Sequence, residues 1–296
     1  MIGGHARCTQ YDPVTAHHFT VDVEEYFQVS ALEPHVRRVE WDRLPSRVES
    51  SVARVLDLLA RYEARATFFV LGWVGARHPE MVKRIARAGH EIASHGWDHA
   101  RVTELGPPEF RDSVRRTKCL LEDLTGALVL GYRAPSFSIV TGREWALDIL
   151  IEEGHRYDSS LFPVRRKGYG YSGGRADYHW LERPVGRIAE VPPSTLRWCG
   201  TRLPAGGGAY FRLLPYGLVR AAFKQCERLG VPGTFYIHPW ELDPEQPRFD
   251  VSWLVRVRHY GGLRRTVERL ERLLSEFRFT AVRDTVTASP GAAAVR

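Results

Sequence analysis

What most constrains this chain is a repeated alternation of short apolar runs with longer segments of helical period, the pattern of βα units around a parallel sheet or barrel. Residues 18–24 read as the first strand. Its helix spans about 45–62, where Val48, Val52, Val55, Leu56 and Leu59 recur at helical spacing. Further strands are predicted at 66–71, 90–95, 128–131, 157–160, 188–192, 233–237 and 279–282. Helices are predicted at 79–89, 108–124, 143–153, 216–229 and 262–277. Pro79 is a favourable first-turn residue and Gly89 a favourable stop. Between 164 and 194 the pattern weakens into a Gly- and Tyr-rich stretch read as a long surface loop. About seven strands, each followed by a helix or long loop, predict an α/β fold, a distorted, incomplete (β/α) barrel. An open dinucleotide-binding sheet would carry a glycine-rich fingerprint that is missing here. The organisation expected is a flexible leader over 1–15, one domain over 16–286 with a C-terminal extension from about 190, and a disordered tail over 287–296.

With 44% hydrophobic and 26% charged residues, the 296-residue chain has the composition of a soluble globular protein. It contains no run of about 18 apolar residues that would span a membrane and no apolar run of signal-peptide length after Met1. A cytoplasmic protein is expected, with peripheral contact at the inner membrane left open. The net charge of +7 is scattered, with small clusters at Arg165-Arg166-Lys167 and from Arg256 to Arg272. This favours a solvated basic surface over nucleic-acid binding. Cys8, Cys119, Cys199 and Cys226 form no CxxC pair and read as reduced, mostly buried thiols.

In a parallel βα architecture, polar residues at the carboxyl ends of strands gather at one rim. Asp22 and Glu24 are two positions apart on a strand, so their side chains share a face. His95-Gly-Trp-Asp-His99 places two imidazoles four residues apart just past a strand, within reach of one divalent ion if the segment turns helically. Taken singly, each pair reads equally well as surface decoration. Together, a carboxylate and two histidines suit Zn²⁺ or a related first-row ion, with a position left open for water. His238 directly follows the strand ending at Ile237, where it would protonate a leaving group, although a lone histidine is more often a core residue.

These motifs, in this order, resemble the polysaccharide deacetylase family, the NodB-homology domain of carbohydrate esterases. Thr20-Val-Asp22-Val-Glu24-Glu25 resembles the first motif and Ser94-His95-Gly-Trp-Asp-His99 the second. Arg133-Ala-Pro135 resembles the third, Asp158-Ser-Ser160 the fourth and Ile237-His238 the fifth. The stretches 21–27, 207–214 and 238–241 further resemble a subgroup found with exopolysaccharide and exosortase loci. One departure stands out: Val23 separates Asp22 from Glu24, where the usual motif has adjacent aspartates.

The resemblance implies a hydrolase acting on carbon–nitrogen bonds, which removes N-acetyl groups from a glycan. It implies a divalent metal, Zn²⁺ with Co²⁺ or Ni²⁺ as alternatives, held by Glu24, His95 and His99. Asp22 would be the general base, oriented by Arg133, and His238 the general acid, kept protonated by Asp158. Glu25 would point away. Substrate contacts would come from Pro135 and Ser136, a backbone N–H near Ser136 serving the oxyanion, and from sugar stacking on Trp97, Phe137, Tyr210 and Trp240. The partner implied is an N-acetylated glycan, without nucleic acid, with room for association with membrane-bound polysaccharide assembly machinery. Two other readings stay open: hydrolysis of a small cyclic amide or imide, and a catalytically inactive glycan-binding protein.

Overall fold

The computed structural model describes residues 16–166 and 169–288, so the leader expected over 1–15 and nearly all of the expected tail lie outside the described residues. The alternation reads through as β1 (His17–Val23), α1 (Val48–Arg61), β2 (Thr67–Val70), α2 (Gly72–Arg77), α3 (Pro79–Arg87) and β3 (Glu91–Ser94). It continues with α4 (Pro107–Thr125), β4 (Gly131–Tyr132), α5 (Trp145–Glu152) and β5 (Tyr157–Asp158). Two hairpins follow, β6 (His179–Arg183) with β7 (Gly186–Glu190), and β8 (Thr195–Trp198) with β9 (Thr201–Pro204). The chain then forms α6 (Gly208–Leu213), α7 (Tyr216–Arg228), β10 (Thr234–Ile237), α8 (Trp253–Tyr260), α9 (Thr266–Glu276), β11 (Phe279–Thr280) and α10 (Val282–Ala288).

Nine of these eleven described strands form one sheet in the order β10-β1-β2-β3-β4-β5-β7-β6, with β11 also on β1. Every pairing in it is parallel except β6 with β7. Among the described residues the gap between β7 and β10 is crossed by isolated hydrogen bonds, among them Ser194 N to the Thr234 carbonyl (3.0 Å), Thr234 N to Ser194 Oγ (2.7 Å) and Tyr236 N to the Gly206 carbonyl (2.7 Å). The sheet therefore curls toward closure without completing a ladder, as an incomplete (β/α) barrel does. β1, central in the sheet, is buried along its whole length. Its apolar residues Phe19, Val21 and Val23 join α1, β2, α7 and α9 in the largest core cluster.

The strand count exceeds the seven expected because β6 lies within the 164–194 stretch read as a loop, and β8 and β9 follow it where no strand was expected. β6 is partly exposed at nearly every position, and the tips of β8 and β9 are exposed. Edge hairpins of this kind carry no strong burial pattern for a sequence to display. α8 was also unassigned, since Val255-Arg-Val-Arg258 alternates like a strand. Thr287 and Ala288 close α10 rather than opening a tail. The expectation of mostly buried thiols does not hold: Cys119 and Cys199 are exposed, Cys226 is half-buried, and Cys8 lies outside the described residues.

Candidate active site

Asp22 and Glu24 emerge together at the carboxyl end of β1, where alternation puts both on one face, buried to 2% and 1% exposure. Glu25 points the other way and accepts hydrogen bonds from Ser46 Oγ and the backbone N–H groups of Arg47 and Val48, holding the start of α1. His95 leaves the end of β3 in register, its N–H donating to the Val70 carbonyl at 3.0 Å. The segment after it does not turn helically. Gly96 (φ 75°) and His99 (φ 60°) adopt left-handed backbone, and the carbonyls of Gly96 and Trp97 accept the N–H groups of Gly72 and Trp73 at the start of α2. A non-glycine residue in that conformation costs energy that the surrounding packing must supply, and such strain clusters at functional sites.

The loop brings Glu24, His95 and His99 together, with one ligand atom from each lying within 4.8 Å of the others. His95 Nδ1 donates to the Arg133 carbonyl at 2.8 Å, which fixes the tautomer and leaves the Nε2 lone pair free for a cation. Burial lowers its pKa to about 4, against the opposing charges of Asp22 and Glu24, so it is a neutral donor. Burial also acts to raise Glu24, but His99, His238 and His95 overcome this and bring it to about 2. Trp240 Nε1 donates to Glu24 Oε1 at 3.0 Å. Glu24 Oε2 is buried without a hydrogen bond while facing His99 Nε2 at 2.9 Å. A carboxylate oxygen left over in this way, converging with two imidazoles, fits a divalent metal of the zinc type.

Arg133, fully buried, donates through Nη1 to Asp22 Oδ1 (2.6 Å) and Thr20 Oγ1 (2.7 Å), and through Nη2 to Ser159 Oγ (2.8 Å). Its guanidinium lies 4.2 Å from the Phe69 ring centroid. His238 stands across the site with Nε2 3.9 Å from Asp22 Oδ2 and 3.7 Å from Glu24 Oε1. Asp22, Glu24, His95, His99 and His238 open onto a cavity of about 300 Å³ that Ser136, Phe137, Tyr210 and Trp240 also line.

Residues 35–143 match the family model "Polysaccharide deacetylase", and residues 159–287 match "Domain of unknown function (DUF3473)". The chain carries a polysaccharide deacetylase domain. Part of the chain is 33% identical over 115 residues to a peptidoglycan deacetylase of Helicobacter pylori, covering 38% of each chain. It is 32% identical over 96 residues to a peptidoglycan-N-acetylglucosamine deacetylase of Bacillus cereus, covering 32% of this chain and 35% of that one. The match thus spans just over a third of the length of these curated relatives. In fold, the chain superposes on a Mycobacterium smegmatis protein assigned to the polysaccharide deacetylases, with TM-score 0.63 and 22% identity over 92% of this chain and 88% of that one. It also superposes on Puue allantoinase, with TM-score 0.60 and 17% identity over 92% and 88%.

Several residues sit where the motifs alone did not put them. Asp158 is not the partner of His238. β5 lies between β4 and β7, and the Asp158 carboxylate accepts Ser160 Oγ (2.6 Å) and Ser160 N (3.0 Å) while facing Glu190 across the β5–β7 pairing. Ser160 Oγ in turn accepts the Ala134 N–H at 2.7 Å, so the 158–160 motif braces the Arg133 loop. The anion on His238 is Glu241, whose Oε1 accepts His238 Nδ1 at 2.7 Å. Glu241 Oε2 accepts Arg212 Nε, and Arg212, 1% exposed, also donates to the Arg258 carbonyl at 2.8 Å. Burial pushes the His238 imidazole down, but Glu24, Glu241 and Asp22 together raise it to about 9.

Trp97 is no stacking platform. It packs against Gly72, where an added Cβ would lie 2.3 Å from Trp97 Cε3, with Arg116 3.4 Å from its ring centroid, outside the cavity lining. Trp240 stacks between His238 (5.3 Å) and His259 (4.4 Å), 5% exposed, and so supports the ligand and acid rather than offering an open face. Pro135 is buried and does not line the cavity, whereas Ser136 (φ 54°) and Phe137 (φ 53°) turn into its wall in left-handed conformations. Tyr210 lines the cavity and its hydroxyl lies 2.5 Å from that of Tyr169. The residues missed in the sequence were Glu241, Arg212 and His259. Arg212 and Glu241 lie within the stretches 207–214 and 238–241 that carry the subgroup resemblance, and Glu241 stands three positions after His238, the spacing of a capping box.

Proposed function

We propose that this chain is a divalent-metal-dependent hydrolase that removes N-acetyl groups from a polysaccharide. The observation that carries the reading is the convergence of Glu24, His95 and His99 beside a buried Asp22–Arg133 pair, with an anion-paired His238 across one cavity. Glu24, His95 and His99 would hold the metal, for which zinc is proposed, and its charge when bound would acidify water and polarise an acetyl carbonyl. Asp22, oriented by Arg133, takes the proton of the attacking water as its oxygen bonds to the carbonyl carbon. His238, held through Nδ1 by Glu241, gives its Nε2 proton to the amide nitrogen as the carbon–nitrogen bond breaks, releasing acetate and a free amine. Glu241 thus takes the role that the resemblance assigned to Asp158. The matched relatives are named for peptidoglycan, which supports an N-acetylated glycan as substrate; an exopolysaccharide made at the cytoplasmic face is the form proposed here.

The test is acetate release from N-acetylglucosamine oligomers by the zinc-loaded protein, with a cyclic amide assayed in parallel. Asp22→Asn and His95→Ala are expected to lose about 10²–10⁴-fold in rate. Wild-type rates from both variants would refute the site, and turnover of the cyclic amide alone would refute the substrate.

A further inference from the structure

A second surface has no part in this chemistry. α8 is anchored by its inner face, where His259 and Tyr260 are buried and Val255 packs on a cluster with Tyr26, Phe27 and Val251. A surface helix of this kind ordinarily shows polar residues outward. Here the outward residues include Trp253 (71% exposed), Leu254 (69%) and Val257 (40%), at positions i, i+1 and i+4 of one turn. Leu213, 43% exposed at the end of α6, adjoins them, because a Cβ on Gly261 would lie 2.8 Å from Leu213 Cδ2 and 2.3 Å from the Val257 carbonyl oxygen. Around this apolar group the charge is one-sided. From Arg248 to Arg265 there are five arginines and one carboxylate, Asp250, which is fully exposed and 3.5 Å from Arg256. α8 also walls the active-site cavity through Arg258 and His259.

We propose that the outer face of α8, with Leu213, is a docking surface for an anionic lipid bilayer, which would seat the protein peripherally beside its cavity mouth. The chemistry argues for this occupant. A short helix presenting Trp, Leu and Val amid arginines matches an interface where apolar side chains enter the headgroup boundary and cations meet phosphate. Indole is favoured at that depth because it is apolar in body and polar at one edge. No described helix is long and apolar enough to cross a membrane, so the contact is a surface one.

The inference is independent of the catalytic reading and is tested without turnover. The full chain is sedimented with vesicles of phosphatidylcholine alone and of phosphatidylcholine with about 30% phosphatidylglycerol. Binding is expected to the anionic vesicles only, and to fall on raising salt to about 0.5 M. The double variant Trp253→Ser, Leu254→Ser should lose about tenfold in vesicle affinity while keeping wild-type circular dichroism, since both side chains lie outside the core. Arg256→Ser gives a second reading, a smaller loss that vanishes at high salt. Absence of wild-type binding, equal binding to neutral vesicles, or an unchanged double variant would overturn the proposal. So would a concentration-dependent dimer in analytical ultracentrifugation that the double variant abolishes, because the face would then seat a second copy.

Discussion

His95 and His238 line the same cavity and carry opposite protonation states, because burial dominates one and anions the other. His95 gives its Nδ1–H to a neutral carbonyl, and burial lowers it to about 4, as a metal donor requires. His238 gives its Nδ1–H to a carboxylate and is raised to about 9, as a general acid requires near neutral pH. Once a cation engages Glu24, Glu241 is the main anion left on His238. Glu241→Gln is therefore expected to lower kcat about 10–100-fold and to move the alkaline limb of the pH–rate profile to lower pH, as the imidazolium loses its stabilising charge. The same change strands Arg212, buried at 1% exposure, so Tm should also fall. A profile with an unmoved alkaline limb would make Glu241 merely the counter-ion of Arg212.

At the scale of elements, the β5–β7 pairing sets two buried carboxyls against each other, Asp158 opposite Glu190. Burial, and then the charge of Asp158, raise Glu190 well above its ordinary range, and burial raises Asp158. A carboxyl whose folded pKa is raised contributes stability below its unfolded value, near 4.5, and loses it as pH rises through the folded value. Glu190→Gln, which does not titrate, should thus gain on the wild type in Tm scans as pH rises above that value. The gap should be on the order of 1 kcal/mol per unit of displacement, and a gap flat with pH would refute the raised Glu190 carboxyl. The join between β10 and the 206–207 segment depends on a glycine. A Cβ on Gly207 (φ 153°) would lie 1.8 Å from the Tyr236 carbonyl oxygen, and that atom is backbone that has no room to yield. Gly207→Ala is expected to cost about 3 kcal/mol or more, measurable by denaturant unfolding.

For the whole molecule, the site belongs to neither matched region alone. Asp22 and Glu24 precede residue 35, His95, His99 and Arg133 lie in 35–143, and Arg212, His238 and Glu241 lie in 159–287. A cation held between β1 and the loop after β3 ties distant segments together and binds only the folded chain. Zinc at about 100 times its Kd should stabilise the chelator-stripped protein by about 2.7 kcal/mol, or about 4 °C in Tm. His95→Ala should show no such response, and an equal shift in both proteins would place the metal elsewhere. The sequence by itself determined the βα alternation, the pairing of Asp22 with Glu24 on one face, and the histidine spacing, because strand and helix periods are local properties of the chain. It was silent on β6, β8, β9 and α8, which bury too little on one face to impose a period. Only the tertiary structure decided which anion meets His238 and that Trp97 packs away from the cavity while Trp240 braces it. Those contacts join residues that the topology, not the spacing, brings together: Trp240 reaches Glu24 across 216 positions, and Arg212 reaches Glu241 across 29.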